Sequence, residues 1–440
     1  MSIQVQVEGI DLTTNEPGPV SQVVEHLFRH EAGKMVAILT RIFGIEHLGL
    51  AEDVVQEALA RALQTWPFYG VPKNPSAWIM RASRNLALDV VRRERVFRGK
   101  EPEISRLIEE GHGSDAAIFP EQEIADDRLR MIFVCCHPLI PPEAQVALAL
   151  KTLCGFSVKE IARAFLTTEA AIAKRLVRAK EHIRDARIPF EIPTSPELER
   201  RLNGVLQSLY LLFNEGYKAS TGEKLVREEV CSEAIRLTSL LAQHTVGNQP
   251  RTHALLALML LNGARLPARV DVDGNLVRLQ EQDRTLWDRG MLARGHYHLA
   301  QSAGGSEITD YHLQAAIAAC HCSAPDYKST DWSRILSLYD RLVQFDQSPV
   351  AALNRAVAVA EVRGPRAGLD AVAAIPNLPS LDSYYLLHSV LGEFESRLKQ
   401  PQKAAAHFQR SFDLAELKSE RDFIAGRLRD CELEARQKKL

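Results

Sequence analysis

Residues 157–184 read SVKEIARAFLTTEAAIAKRLVRAKEHIR, and this stretch decides the fold. Ser157-Val158-Lys159-Glu160 has the form of a capping box, in which a serine and a glutamate three residues on satisfy the first free amides of a helix. Phe156 and Ile161 stand at the two positions of a hydrophobic staple. The pattern predicts a helix to Phe165, a turn at Leu166-Thr167-Thr168 and a second helix over Glu169–Arg184. Ile172, Leu176, Ala179 and Ile183 then fall on one face at helical spacing, and Lys174, Arg175 and Arg178 fall on the other. Two helices joined by a three-residue turn, the second one basic, have the form of a helix-turn-helix. The recognition helix of that motif lies in the DNA major groove, where Arg and Lys hold phosphates or read guanine edges.

Working outward, charge is segregated. Trp78–Arg98 carries six arginines against two acids, a net +4, and residues 157–188 carry eight bases against four acids, also +4. Between them, residues 101–127 hold nine acids and one arginine, a net −8. Few apolar residues and the run Gly111-His112-Gly113-Ser114-Asp115 predict an acidic flexible linker over 99–127. The whole chain has 440 residues and a net charge of −2, so the global sum conceals two basic blocks around an acidic one. It excludes a uniformly basic nucleic-acid binder and leaves a locally basic one.

Upstream, Val54/Val55, Ala58/Leu59 and Ala62/Leu63 make a helical apolar stripe, and Asp53, Gln56 and Glu57 make one polar patch at i, i+3 and i+4. Asn74-Pro75 suits a helix start, as N-cap and first helical residue. In that helix Ile79, Ala82, Leu86 and Val90 are expected inward. Trp78, Arg81, Asn85, Arg92 and Arg95 approach one outer face, with Arg84 beside them. An aromatic beside a basic stripe suits single-stranded DNA, which needs a stacking surface and phosphate neutralisation.

Together these segments resemble the extracytoplasmic-function (ECF) group of sigma-70 family RNA polymerase sigma factors, over about residues 15–190. Leu39-Thr40-Arg41-Ile42-Phe43-Gly44 and Ala51-Glu52-Asp53-Val54-Val55-Gln56-Glu57-Ala58 resemble regions 2.1–2.2. The resemblance implies that Asp53, Gln56 and Glu57 bind core RNA polymerase, on the β′ clamp helices. Pro75-Ser76-Ala77-Trp78-Ile79 through Asn85, Asp89, Arg92 and Arg93 resembles regions 2.3–2.4. It implies −10 contacts from Trp78, Arg81, Arg84, Asn85, Arg92 and Arg93. Gly155-Phe156-Ser157 through Lys180 is similar to region 4.2. It implies −35 contacts from Thr168, Lys174, Arg175, Arg178 and Lys180, and a further contact with the polymerase β flap. The chain departs from the family where many members have Lys-Ser-Arg and it has Ala173-Lys174-Arg175. In the family the linker threads toward the active-site and RNA-exit path, and the acidic charge here fits mimicry of nucleic acid. The implied domains are region 2 over 15–98, the linker over 99–127 and region 4 over 128–190.

A minimal ECF factor ends soon after region 4, but here 250 residues follow Phe190. Their pattern predicts helices, most clearly at Ala351–Val362, Tyr384–Leu398 and Lys403–Leu417. Two units align at a spacing of 36, pairing Ala356 with Gly392, Gly368 with Ala404, and Val372 with Phe408. Small residues followed by an apolar one match the close-packing positions of tetratricopeptide (TPR) repeats. The expectation is an all-α chain, with a helical extension over 195–330 and TPR-like repeats over 331–425. Tyr210–Tyr217, Leu279–Arg284 and Gln314–Ala319 resemble the extension of one ECF subgroup with a TPR-like fusion. That resemblance implies control by the fused domain without a separate anti-sigma factor, and a groove for a peptide or protein ligand.

Catalysis is not expected. No nucleotide-binding glycine loop, His-Glu-x-x-His or nucleophile elbow occurs. Cys320-His321-Cys322 and Cys135-Cys136-His137 are too crowded for their side chains to converge on a metal or a substrate. Asn214/Glu215 and Glu281, Asp283 and Arg284 are the other polar groups, the last three suited to an ion-pair network or a peptide clamp. No cofactor is implied. The seven scattered cysteines contain no CxxC pair, and the longest apolar run, Ala254–Leu261, is too short for a bilayer. With no basic, apolar leader at Met1–Leu12, a reduced cytoplasmic protein is expected. The rival reading is a one-component helix-turn-helix regulator with a ligand- or peptide-sensing repeat domain. It leaves the Asp53/Gln56/Glu57 patch and the Trp78 stripe unexplained.

Overall fold

The computed structural model describes residues 19–98, 121–165, 167–191, 195–217, 226–244, 247–271, 275–345 and 348–437. Among them the secondary structure is helical, with one isolated β-bridge between Val270 and Leu276. The contacts divide the chain into two units: residues 1–157 with 174–191, and residues 158–173 with 192–440.

The first unit is built on α1 (Pro19–His30), α2 (Ala32–Phe43), α3 (Leu48–Tyr69) and α4 (Pro75–Arg98). To these it adds α5 (Glu121–Cys135) and α6 (Pro142–Cys154). Helix α2 is central: Met35, Val36, Ala37, Ile38, Leu39 and Phe43 are buried, and it packs on α3, α5 and α6. A Cβ at Gly33 would lie 1.9 Å from the Leu153 carbonyl oxygen, so only glycine lets α2 approach the end of α6 this closely. Arg128 donates to the same carbonyl at 3.1 Å. Helix α5 begins at Glu121, inside the segment expected as linker. Residues 99–120, which make up the rest of the expected linker, lie outside the described residues.

The helix-turn-helix forms where expected, as α7 (Val158–Ala164) and α8 (Glu169–Ala186). Ile172, Leu176, Ala179 and Ile183 are buried on α8, and Phe156 and Ile161 are buried too. By its contacts α8 straddles the division, with residues up to Ala173 in the second unit and those from Lys174 in the first.

The second unit continues through α9 (Ser195–Tyr217), α10 (Glu228–Gln243), α11 (Pro250–Gly263), α12 (Arg289–Ser302) and α13 (Asp310–Ser323). The apolar run Ala254–Leu261 lies in α11, buried all round and packed against α9, α10, α12 and α13. Then come α14 (Trp332–Phe345), α15 (Pro349–Arg363), α16 (Pro365–Ala373), α17 (Tyr385–Arg397), α18 (Pro401–Leu414) and α19 (Lys418–Gln437).

The pairing at a spacing of 36 has a physical basis. Helices α15 and α16 form one packed pair, α17 and α18 another. A Cβ at Gly392 would lie 2.9 Å from the ring of Phe408, and one at Gly368 2.8 Å from the ring of Phe394. Ala356, Ala404, Val372 and Phe408 are all buried.

Candidate nucleic-acid interface

Helix α3 turns Val54, Val55, Ala58, Leu59 and Ala62 into the core and leaves Asp53, Gln56 and Glu57 exposed together. Leu63, expected on the buried stripe, is 45% exposed instead. Glu57 accepts from Arg61 at 2.9 Å on the open surface, where such a pair adds little stability. Gln56 borders a cleft that Phe28, Val36, Glu52, Lys151 and Thr152 also line.

Helix α4 starts as expected, with the Asn74 side chain accepting from the Ala77 amide at 3.0 Å. Its core face is Ile79, Ser83, Ala87, Leu88 and Val91. Ala82, Leu86 and Val90 are half-buried, so the helix is rotated slightly from the expected stripe. Ser83 is tolerated on that core face because its hydroxyl donates to the Ile79 carbonyl at 2.8 Å. Arg81, Asn85 and Arg92 are exposed and Arg84 is half-buried, while the Arg93 side chain lies outside the described residues. Trp78 is half-buried and meets the buried Trp66 edge to face, with ring centroids 5.5 Å apart. Burying one face of the indole against Trp66 fixes the ring at the edge of the arginine stripe.

The end of α3 holds aromatics that the sequence analysis passed over. Phe68 and Tyr69 are 84% and 87% exposed, and Val71 follows them. Aromatic side chains in water next to a basic helix are unusual, because burial is normally worth more for them than for any other residue type. The signal was Trp66-Pro67-Phe68-Tyr69-Gly70, a dense aromatic run directly ahead of the arginine stripe.

On α8, Lys174 and Arg178 are exposed, with Val177 between them. Thr168 is the N-cap, its hydroxyl accepting from the Ala171 amide at 3.3 Å. Two of the expected −35 residues are engaged elsewhere. Arg175 pairs with Glu143 at 2.8 Å. The Lys180 ammonium is bonded to Glu52, a buried carboxylate of α3 that also accepts from Thr152 at 2.8 Å. Asp127, fully buried, takes Arg130 at 2.8 Å and Arg41 at 3.2 Å. Glu52 is thus the point at which α3, α6 and α8 are tied together.

In the second unit the polar groups considered for chemistry are consumed structurally. Arg284 donates to the carbonyls of His321 and Ala324 at 2.7 and 2.5 Å, closing the end of α13. Asp283 caps Thr285, and Glu281 is bonded to Arg278. Glu393 lies 3.7 Å from Arg278 and accepts from Arg427 at 2.7 Å, so an ion-pair network forms that includes Glu281 but neither Asp283 nor Arg284. Burial pushes the Cys322 thiol up to about 11 and holds His321 neutral, down to about 4. Glu215 is buried against Arg227.

Comparison with known proteins agrees with this layout. Residues 27–96 match sigma-70 region 2 and residues 130–183 match sigma-70 region 4. Residues 201–303 match a family of unknown function, DUF6596. The chain is 29% identical over 163 residues to the ECF RNA polymerase sigma factor SigE of Mycolicibacterium smegmatis, covering 37% of this chain and 60% of that one. It is 24% identical over 202 residues to the probable ECF RNA polymerase sigma factor SigI of Mycobacterium tuberculosis, covering 44% and 68%. No solved structure matches. Among the described residues no helix is long and apolar enough to cross a membrane. An uncharacterized protein of Rhizobium meliloti, R00370, is 39% identical over 379 residues, 86% of this chain and 89% of its own length. The chain belongs to the same family as R00370 and carries a sigma-70 region 2 and a sigma-70 region 4.

Proposed function

We propose that this protein binds core RNA polymerase through Asp53, Gln56 and Glu57 and directs promoter-specific initiation. In this reading α4 opens and reads the −10 element, with Trp78, Arg81, Arg84, Asn85, Arg92 and Arg93 as its contacts. Phe68 and Tyr69 add a stacking surface beside it. Helix α8 reads the −35 element through Lys174 and Arg178, with Thr168 at its start. Arg175 and Lys180 join them once they leave Glu143 and Glu52. The observation that carries the reading is the exposed Asp53/Gln56/Glu57 patch on a helix whose other face is core. A DNA-binding protein acting alone has no use for an acidic patch, since phosphate repels it.

The extension regulates the factor. Its two helical pairs at a spacing of 36 support a TPR-like repeat domain, whose groove would take a peptide or protein ligand. The test of the main reading is run-off transcription with purified core polymerase. A promoter-specific transcript is expected. Asp53→Lys with Glu57→Lys should weaken core binding about tenfold or more while leaving −35 duplex binding intact. Equal loss of both, or an unaided DNA shift with no transcript, would overturn it.

A further inference from the structure

The match of residues 201–303 to a family of unknown function leaves open what that segment does. We propose that it is a clamp on the first helix of the helix-turn-helix, with Arg227 as the recognising group and Glu160 as the recognised one. The proposal rests on reading residues 157–184 as the DNA-reading part of region 4.

Glu160 lies on α7, in a segment otherwise rich in bases. It is buried, and its carboxylate stands 3.5 Å from a guanidinium nitrogen of Arg227, which is buried too. The other terminal nitrogen of Arg227 donates to Glu215, also buried. A surface glutamate in a solvated basic helix would not be out of water. A buried carboxylate needs compensating charge, and Arg227 supplies it to Glu160.

Arg227 is itself held rigidly. It directly precedes α10 and its amide donates to the Gly216 carbonyl at 2.8 Å, near the end of α9. A Cβ at Gly216 would lie 2.7 Å from the Cys231 amide nitrogen, so α9 and α10 cross there at backbone distance. The guanidinium therefore projects from a fixed crossing and not from a loose loop.

The two acids differ in their contact with Arg227. Glu215, within the extension, accepts a hydrogen bond from it, whereas Glu160 stands 3.5 Å away, an ion pair beyond hydrogen-bond length. Glu160 is on α7, so its contact is the one that release of α7 would break. Because α7 leads through Thr167-Thr168 directly into α8, the clamp fixes the start of the DNA-reading helix.

The test is hydrogen exchange read by mass spectrometry on the full chain, comparing wild type with Glu160→Gln. Glutamine also serves at the third helical position of a capping box, so this variant removes the charge and keeps the helix start. Faster exchange, by about tenfold or more, is expected both in residues 158–164 and across the Arg227 segment, residues 226–231. Glu143→Gln, which breaks only the Glu143–Arg175 pair, should leave both segments at wild-type rates. Arg227→Lys, which keeps the charge and loses the forked geometry, should behave as Glu160→Gln does. A change confined to α7, or none, overturns the clamp. The readout needs no polymerase, so a failed transcription assay and a failed clamp are told apart.

Discussion

At the residue scale, burial in the second unit lowers the pKa of several histidines, His253, His298 and His321 among them. His253 and His298 stack with ring centroids 5.1 Å apart, and their Nδ1 atoms are 2.9 Å from each other. The Nε2 of His253 is 2.8 Å from the Asn248 side-chain oxygen, so that nitrogen carries the proton and the Nδ1 of His253 accepts from His298. Adding a proton to His253 then goes on its Nδ1 and puts donor against donor. Burial, the neighbouring His253 and Arg294 hold His298 down to about 4, and burial lowers His253 as well. Burial, Arg265 and Arg284 do the same for His321. The unfolded chain takes up these protons near pH 6.5; the folded chain takes up those of His298 and His321 only near pH 4, and that of His253 below its ordinary value. The stabilisation is thus complete above 6.5 and lost as pH falls through that window. Thermal unfolding between pH 7 and 4.5 should show this decline, and His298→Gln should flatten it. An unchanged slope in the variant would mean that the pair does not set it.

At the element scale, the two faces of α8 separate stability from binding. Leu176 is buried, so Leu176→Ala should cost about 3 kcal/mol in denaturant unfolding, from lost burial and the cavity left behind. Lys174 is exposed, so Lys174→Ala should change stability by less than about 0.5 kcal/mol. It should weaken binding to a −35 duplex and lower the slope of affinity against salt by about 1. A Lys174→Ala protein with wild-type salt dependence would remove that residue from the interface. The inward residues of α8 were legible because a 3.6-residue period needs only the local sequence. The orientation of α4 was less so. Ala82, Leu86 and Val90 fit the period as well as Ser83, Ala87 and Val91 do, and a buried serine reads as polar until its bond to Ile79 is seen.

At the scale of the whole molecule, residues 158–173 belong by contact with the extension, not with the rest of region 4. A chain ending after residue 190 would lack Arg227, which stands 3.5 Å from the buried Glu160. Limited proteolysis of that fragment should cut within 158–173 about tenfold faster or more than in the full chain. Equal rates would show that the extension gives this segment no protection. A change of transcriptional activity on truncation therefore reports structural loss as well as released regulation, and the proteolysis separates the two.

The sequence by itself determined the elements and much of the candidate site. The helical periods, the Asn74 start, the exposed Asp53/Gln56/Glu57 patch and the small residues of the 36-residue pairing all follow from spacing along one segment. What only the tertiary structure decided is which charges are available. Lys180 and Glu160 look alike in sequence, as charged residues on basic helices. One is bonded to Glu52, 128 residues away, and the other is buried beside Arg227, which is also remote in sequence. A charge's partner is set by where distant segments meet, and nothing in the local pattern carries that information.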